Sequence, residues 1–203
     1  LSPAHSEGMY YKPRVSHEVI EKYHEGLICC SACMAGEIPR NILAGDDAAL
    51  DKAIKWHKRV FGDDYYLEVM LHKTKVPGLS LEVYERQKEY CARIFELAGQ
   101  YGVKVVATND VHFVSEEDGP AHDRLICLTT NASLNDPKRL RYTQQEFLKS
   151  EEQMAELFPD HPEALANTLE VLDKIESYDI NRGHVLPKFQ IDSGFLEHID
   201  EHL

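Results

Sequence analysis

The sequence predicts an α/β fold built on a parallel sheet, either open or curled into a barrel. Three observations predict it. Short strand-like runs alternate with helical patterns, the runs are apolar almost throughout rather than every second residue, and each intervening helix carries a single buried stripe. With 43% hydrophobic and 28% charged residues the composition is that of a globular chain, which excludes a collagenous, low-complexity or wholly disordered one.

The elements follow in order. Ser16 is placed to cap a short helix running to about Glu25, with Gly26 as its stop. Leu27 to Ser31 reads as a buried strand. Asp46 or Asp47 caps the next helix, in which Leu50, Ala53, Ile54, His57, Val60 and Phe61 recur at steps of three and four, and Gly62 ends it. Tyr65 to Met70 is a second strand by its aromatic and β-branched content. After a Pro77-Gly78 loop, a long helix begins near Ser80, with an inner stripe of Val83, Tyr84, Gln87, Cys91, Ile94, Phe95 and Ala98 and Gly102 beyond its end. Lys104 to Thr108 is a third strand, and Asp118 to Thr130 a further helix. A polar, turn-rich stretch from Ala132 to Arg141 precedes helices at Glu151 to Phe158 and Pro162 to Glu176. Beyond about Asp179 the pattern breaks, as expected of a connector. There is no internal repeat.

Charge narrows the choice of partners. Lys and Arg number 22 against 35 Asp and Glu, a net charge of −13 that repels phosphate backbones over most of the surface. Lys138-Arg139-Leu140-Arg141 is the one dense basic cluster, readable as a solvated loop or as a local anion-binding face. Cys29, Cys30, Cys33, Cys91 and Cys127 are odd in number and lack paired spacings, so structural disulfides are not expected. Cys30 and Cys33 form a single C-x-x-C without a second copy, a weak signal for zinc or redox chemistry. No apolar run is long enough to span a bilayer, and the amino end has no basic start followed by an apolar stretch, so a cytoplasmic setting is expected.

In parallel α/β folds, ligands bind beyond the carboxyl ends of the strands, where the connecting loops converge. That rule selects Cys33 after the first strand, Glu68 and His72 at the second, and Asp110 and His112 after the third. If the backbone stays extended past Thr108, Asp110 and His112 face one point, and both are ligands for a divalent metal. Chance alone supplies such a spacing, and a second D-x-H occurs at Asp200-Glu201-His202, so the placement at a strand end is what marks the first copy. Cys33 reads either as a thiolate ligand suited to zinc or as a small buried residue. Glu68, a carboxylate in an apolar strand, must be paired or functional. His57 reads as a satisfied core histidine, and His122 as a cap or a cleft residue. His17, His161, His198 and His202 read as surface residues. No G-x-S-x-G, phosphate-binding glycine loop or dinucleotide fingerprint is present, which removes support for serine-triad hydrolysis and for those modes of nucleotide binding.

Several segments together resemble the alpha subunit of bacterial replicative DNA polymerase III. They are Tyr10 to Arg14, SACMAGEIPR at 31–40, VVATNDVHFV at 105–114, AHDRLICLTT at 121–130, DPKRLRY at 136–142 and FLKSEEQMAELFPDHPEALANTLE at 147–170. The resemblance runs in order over most of the chain. It implies the later part of a polymerase and histidinol phosphatase (PHP) domain at residues 1–178 and a connector towards the palm at 179–203. The implied fold is an incomplete, distorted βα barrel followed by a helical segment.

Members of that family that keep a metal cluster place a Cys, an Asp and a His at the positions of Cys33, Asp110 and His112, so the resemblance implies these three as ligands of zinc or manganese. The family's opening H-x-H-S motif and its other His and Glu ligands have no counterpart in this sequence, and neither do the palm aspartates that hold magnesium. The fragment alone is therefore expected to be inactive.

In the parent, the resemblance implies DNA-directed DNA polymerisation, with the PHP region a scaffold for which metal-dependent 3′ to 5′ exonuclease or phosphoesterase action is the second implied activity. Implied partners are DNA and deoxynucleotides, through other domains, and the proofreading and clamp-loader subunits, with no membrane. The competing readings are a stand-alone PHP-type phosphoesterase and a purely structural interaction module.

Overall fold

A three-stranded parallel sheet organises the chain. In the computed structural model, which describes residues 2–77, 79, 81–179, 181 and 183, strands β3 (Cys29–Cys30), β4 (Tyr65–Val69) and β5 (Lys104–Ala107) lie in the order β3-β4-β5. Cys29 pairs with Tyr65, and Val69 with Ala107. Preceding them are helix α1 (Ser2–Ser6), a two-strand antiparallel ribbon of β1 (Met9–Tyr10) and β2 (Lys12–Pro13), and helix α2 (His17–Tyr23). Helices α3 (Glu37–Ala44) and α4 (Asp47–Phe61) connect β3 to β4, and α5 (Glu82–Tyr101) connects β4 to β5. Helices α6 (Gly119–Thr130), α7 (Glu151–Leu157) and α8 (Pro162–Asp173) follow.

Local chemistry explains these elements. The Asp46 carboxylate accepts the Ala49 N–H at 2.9 Å and starts α4, which buries Leu50, Ala53 and Ile54. Helix α5 buries Gln87, Tyr90, Cys91, Ile94 and Leu97, and Gly102 stops it at φ +60, a left-handed cap that glycine takes without steric cost. Of the expected stripe, Gln87, Cys91 and Ile94 are buried and Phe95 and Ala98 pack partly buried against the core, while Val83 and Tyr84 are half-buried and Tyr90 and Leu97 are buried in addition. Tyr90 turns inward, its hydroxyl donating to the Met70 carbonyl at 3.4 Å, and the first turn of the helix stays at the surface. Strand β4 is central and its apolar side chains are buried on both faces, which explains a run that is apolar except at Glu68. Tyr65, Leu67 and Val69 join Ile54, Ile94 and Leu97 in the core, while Tyr66 turns to the other face and donates its hydroxyl to Glu170 at 2.8 Å.

Two expected elements are shorter than read. The strand expected at Leu27 to Ser31 narrows to Cys29–Cys30, with Leu27 exposed, and the last helix ends at Asp173 rather than Glu176. Helix α3, which carries Pro39, was not among the expected elements. The proline sits in the first turn, where the N–H groups have no intrahelical acceptor, and so does not break the helix.

The chain divides into two units, Leu1–Asp173 and Lys174–Leu203. In the second, the described residues form neither helix nor strand. The expected connector, the second D-x-H copy, His198 and His202 lie almost wholly outside the described residues, as does Ser80. No helix among the described residues is long and apolar enough to cross a membrane.

Candidate functional site

Strand β3 ends opposite Tyr66, while β4 and β5 run on together to Val69 and Ala107. Hydrogen bonds carry the pairing at both ends one residue further: the Ser31 N–H donates to the Tyr66 carbonyl and the Thr108 N–H to the Val69 carbonyl, each at 3.0 Å. Just past these points the chain turns sharply. Ala32 has φ +64 and Asp110 φ +44, the left-handed region in which a Cβ is crowded. Cys33 follows the first of these turns, and the 33–36 turn is closed by a 2.7 Å bond from the Gly36 N–H to the Cys33 carbonyl. A Cβ at Gly36 would lie 2.2 Å from the Ser31 carbonyl oxygen, so only glycine fits there.

Glu68 joins the two turns. One carboxylate oxygen accepts the Ala32 N–H at 3.0 Å and the other accepts the Thr108 hydroxyl at 2.6 Å. In return, the Ser31 hydroxyl accepts the Glu68 N–H at 2.8 Å. The carboxylate in the apolar strand is thus paired, and it ties the Cys33 loop to the Asp110 loop. Burial first, and then the Glu68 charge, pushes the Cys29 thiol up to about 11.

Asp110 and His112 do meet: the Asp110 Oδ1 lies 3.6 Å from the His112 Nε2, with both side chains partly exposed. The extended backbone expected past Thr108 is not the route, since Asp110 is left-handed. The His112 N–H is instead anchored by the Glu146 carbonyl at 2.8 Å, and Phe113 forms a parallel bridge with Phe147. The segment around 143–149 therefore acts as a strap across the loop. The His112 ring packs against Tyr142 at 4.7 Å and His122 at 5.4 Å, so His122 faces this cluster rather than serving as a cap. Burial, with Asp110, Glu146 and Cys33 in decreasing measure, raises the Tyr142 hydroxyl above its ordinary value.

A buried polar network lies beneath. Gln87 clamps His72: its Oε1 accepts the His72 N–H at 2.6 Å and its amide donates to Nδ1 at 2.9 Å. The Nε2–H tautomer of His72 then donates to the Asn109 carbonyl at 3.0 Å. Burial holds His72 below the ordinary imidazole value, outweighing the Glu146 carboxylate 3.9 Å away. Asn109 donates both amide hydrogens, to the Gln145 carbonyl at 2.9 Å and to the Phe147 carbonyl at 2.7 Å. Glu146 accepts from the Thr143 N–H and hydroxyl and from the Gln145 N–H, at 2.6–3.0 Å. Lys149 donates to the Gln145 carbonyl, and burial lowers it to about 8. Asn109, Glu146 and Lys149 escaped the sequence reading. The Thr143-Gln144-Gln145-Glu146 run has no apolar period, and the only signal available was a polar pair, Asn109-Asp110, at a strand end.

Among the described residues, no group of three or more His, Cys, Asp or Glu side chains gathers where one ion could be held. Asp110 and His112 form a pair that suits two corners of a divalent site. The donor set present therefore does not make a complete metal centre.

The remaining residues fall as follows. His57 is satisfied, its Nδ1 2.8 Å from the Ala53 carbonyl and its ring stacked on Tyr65. His17 and His161, read as surface residues, stack on Trp56 and Phe95. All five cysteines are free.

Residues 1–72 match the family model of the PHP domain. The chain is similar to a segment of the DNA polymerase III subunit alpha of several organisms. It is 40% identical to that of Borreliella burgdorferi over 98% of this chain and 17% of the relative. It is 39% identical to that of Treponema pallidum over 100% and 17%, and 38% identical to that of Campylobacter jejuni over 92% and 16%. The chain thus spans about a sixth of the length of these relatives.

Proposed function

The chain belongs, over the segment it spans, to the DNA polymerase III alpha subunit family, and on that premise we propose that it serves as the later part of the PHP domain of a replicative polymerase. Residues 1–178 form that part and residues 179–203 lead towards the palm. The observation that carries this reading is the match of nearly the whole chain to one stretch of the relatives. The parent adds deoxynucleotides to a primer end in the cytoplasm, with magnesium at carboxylates in its palm. It works with DNA and with proofreading and clamp-loader subunits.

In the parent, Cys33, Asp110 and His112 contribute to a divalent zinc or manganese site whose other ligands come from other parts of the protein. The meeting of Asp110 with His112 supports this, as does the Glu68 tie between their loop and that of Cys33. The PHP part then acts as a scaffold, with phosphoesterase or 3′ to 5′ exonuclease action as its second activity. The test is the zinc and manganese content of the full-length parent, wild type against Cys33→Ala and His112→Ala. Stoichiometric metal that falls in both variants is expected. Equal metal in all three proteins, or none in the wild type, overturns the assignment.

A further inference from the structure

The strap at 143–149 holds a cation against carbonyl oxygens rather than carboxylates. Lys149 is half-buried, its ammonium donating to the Gln145 carbonyl and to Asn109 Oδ1 at 3.3 Å and lying 4.0 Å from the centre of the Phe147 ring. Among the described residues it stands in no ion pair. The charged groups around it act from further off and are engaged elsewhere. Glu146 of the strap accepts three bonds from Thr143 and Gln145, Glu116 of the 116–118 turn pairs with Lys75 of the loop after β4 at 2.8 Å, and His72, just past β4, is clamped by Gln87. Burial outweighs Glu146 and Glu116, which favour the ammonium, while Lys75 opposes it, so Lys149 lies at about 8. The neutral amine is the form the closed strap holds best.

Few bonds hold the strap down. The Glu146 carbonyl accepts the His112 N–H at 2.8 Å, the Leu148 N–H donates to the Phe113 and Val114 carbonyls at 3.2 Å each, and Asn109 binds the Gln145 and Phe147 carbonyls. None of these bonds belongs to the β3-β4-β5 sheet, so the strap can lift as a unit while the sheet stays paired. Lifting hydrates the Lys149 ammonium and frees the His112 backbone.

We propose that the 143–149 strap is a proton-responsive clamp on the His112 loop, lifted by proton uptake at Lys149 and drawn down by proton release. In the lifted strap Lys149 is hydrated and returns towards the ordinary lysine value of about 10.4. The lifted state therefore binds more protons than the closed one between about pH 8 and 10, and closure strengthens as pH rises through that window. Above pH 7, His72 contributes little, because burial holds it below the ordinary imidazole value of about 6.5 and it is neutral in both states. The bearing of the clamp on a metal rests on the reading that His112 is a ligand, since a lifted strap leaves its backbone unanchored.

The test is amide hydrogen exchange of the chain at pH 7 and pH 9 in EDTA, by quench-flow labelling read by NMR, with each rate divided by the unprotected chemical rate at that pH. Opening at the His112 and Leu148 amides is expected to exceed that at the β4 amides by more than about tenfold at pH 7, and to fall about tenfold from pH 7 to pH 9. Lys149→Arg, charged throughout, and Lys149→Gln, neutral throughout, are both expected to lose this pH response. Opening in the wild type that stays within about twofold or rises between the two pH values overturns the proposal, and so does exchange of these amides in step with β4 or a Lys149→Arg response equal to that of wild type. With metal excluded, a failure here counts against the clamp alone, whereas the metal content of the parent tests the ligand reading separately.

Discussion

The Thr108 hydroxyl donates to the Glu68 carboxylate at 2.6 Å, and through that bond the end of β5 is fastened to the end of β4. The second Glu68 oxygen holds the Ala32 N–H, so one side chain spans the ends of all three strands. Thr108→Val removes one charge-assisted bond and is expected to cost about 2 kcal/mol, and Glu68→Ala about 3 kcal/mol, in urea denaturation with an unchanged m-value. A Glu68→Ala chain within about 0.5 kcal/mol of wild type would show that the tie does no structural work.

Asn109 fastens the strap in the same manner, with both amide hydrogens on backbone carbonyls. Asn109→Ala is expected to lose about 2–3 kcal/mol, because the Gln145 and Phe147 carbonyls are left facing an empty site. Thermal midpoints check this, and an Asn109→Ala midpoint equal to that of wild type contradicts the fastening of the strap through Asn109.

Acid should destabilise the fold early. Burial lowers His72 and His57 below the ordinary imidazole value, so both resist protonation in the folded chain, whereas the unfolded chain takes up protons near pH 6.5. The unfolded state then binds more protons, and stability rises with pH through that window and is lost as pH falls below it. His72→Gln is expected to be less stable at pH 7.5, where the Gln87 and Asn109 bonds are broken, yet to show a shallower decline between pH 7 and 5. Parallel curves for the two proteins would exclude His72 as a source of the pH dependence.

Core and surface leucine-type positions should separate cleanly. Ile94 on α5 is fully buried against the sheet, and Ile94→Ala is expected to cost about 3–4 kcal/mol through lost transfer energy and a residual cavity. Leu128 on α6 is 78% exposed, and Leu128→Ser is expected to stay within about 0.5 kcal/mol. Denaturation midpoints of both variants decide this.

Strand β4 and helices α4 and α5 were legible in the linear chain because their burial follows a local pattern: Tyr65 to Val69 is apolar but for Glu68, and Leu50, Ala53 and Ile54 fall on one face. The spacing of Asp110 and His112, and their position after a strand, singled them out as candidates in the same way, and the resemblance named the family before any coordinates. Tertiary structure alone decided how they are held. Asn109 reaches carbonyls 36 and 38 residues away, Glu68 binds partners 36 and 40 residues away, and His112 depends on the backbone of Glu146. Periodicity reports which face of an element is buried, but a hydrogen bond between distant segments leaves no period in either one. The pairings among Glu68, Asn109 and the 143–149 strap therefore exist only once the chain has folded.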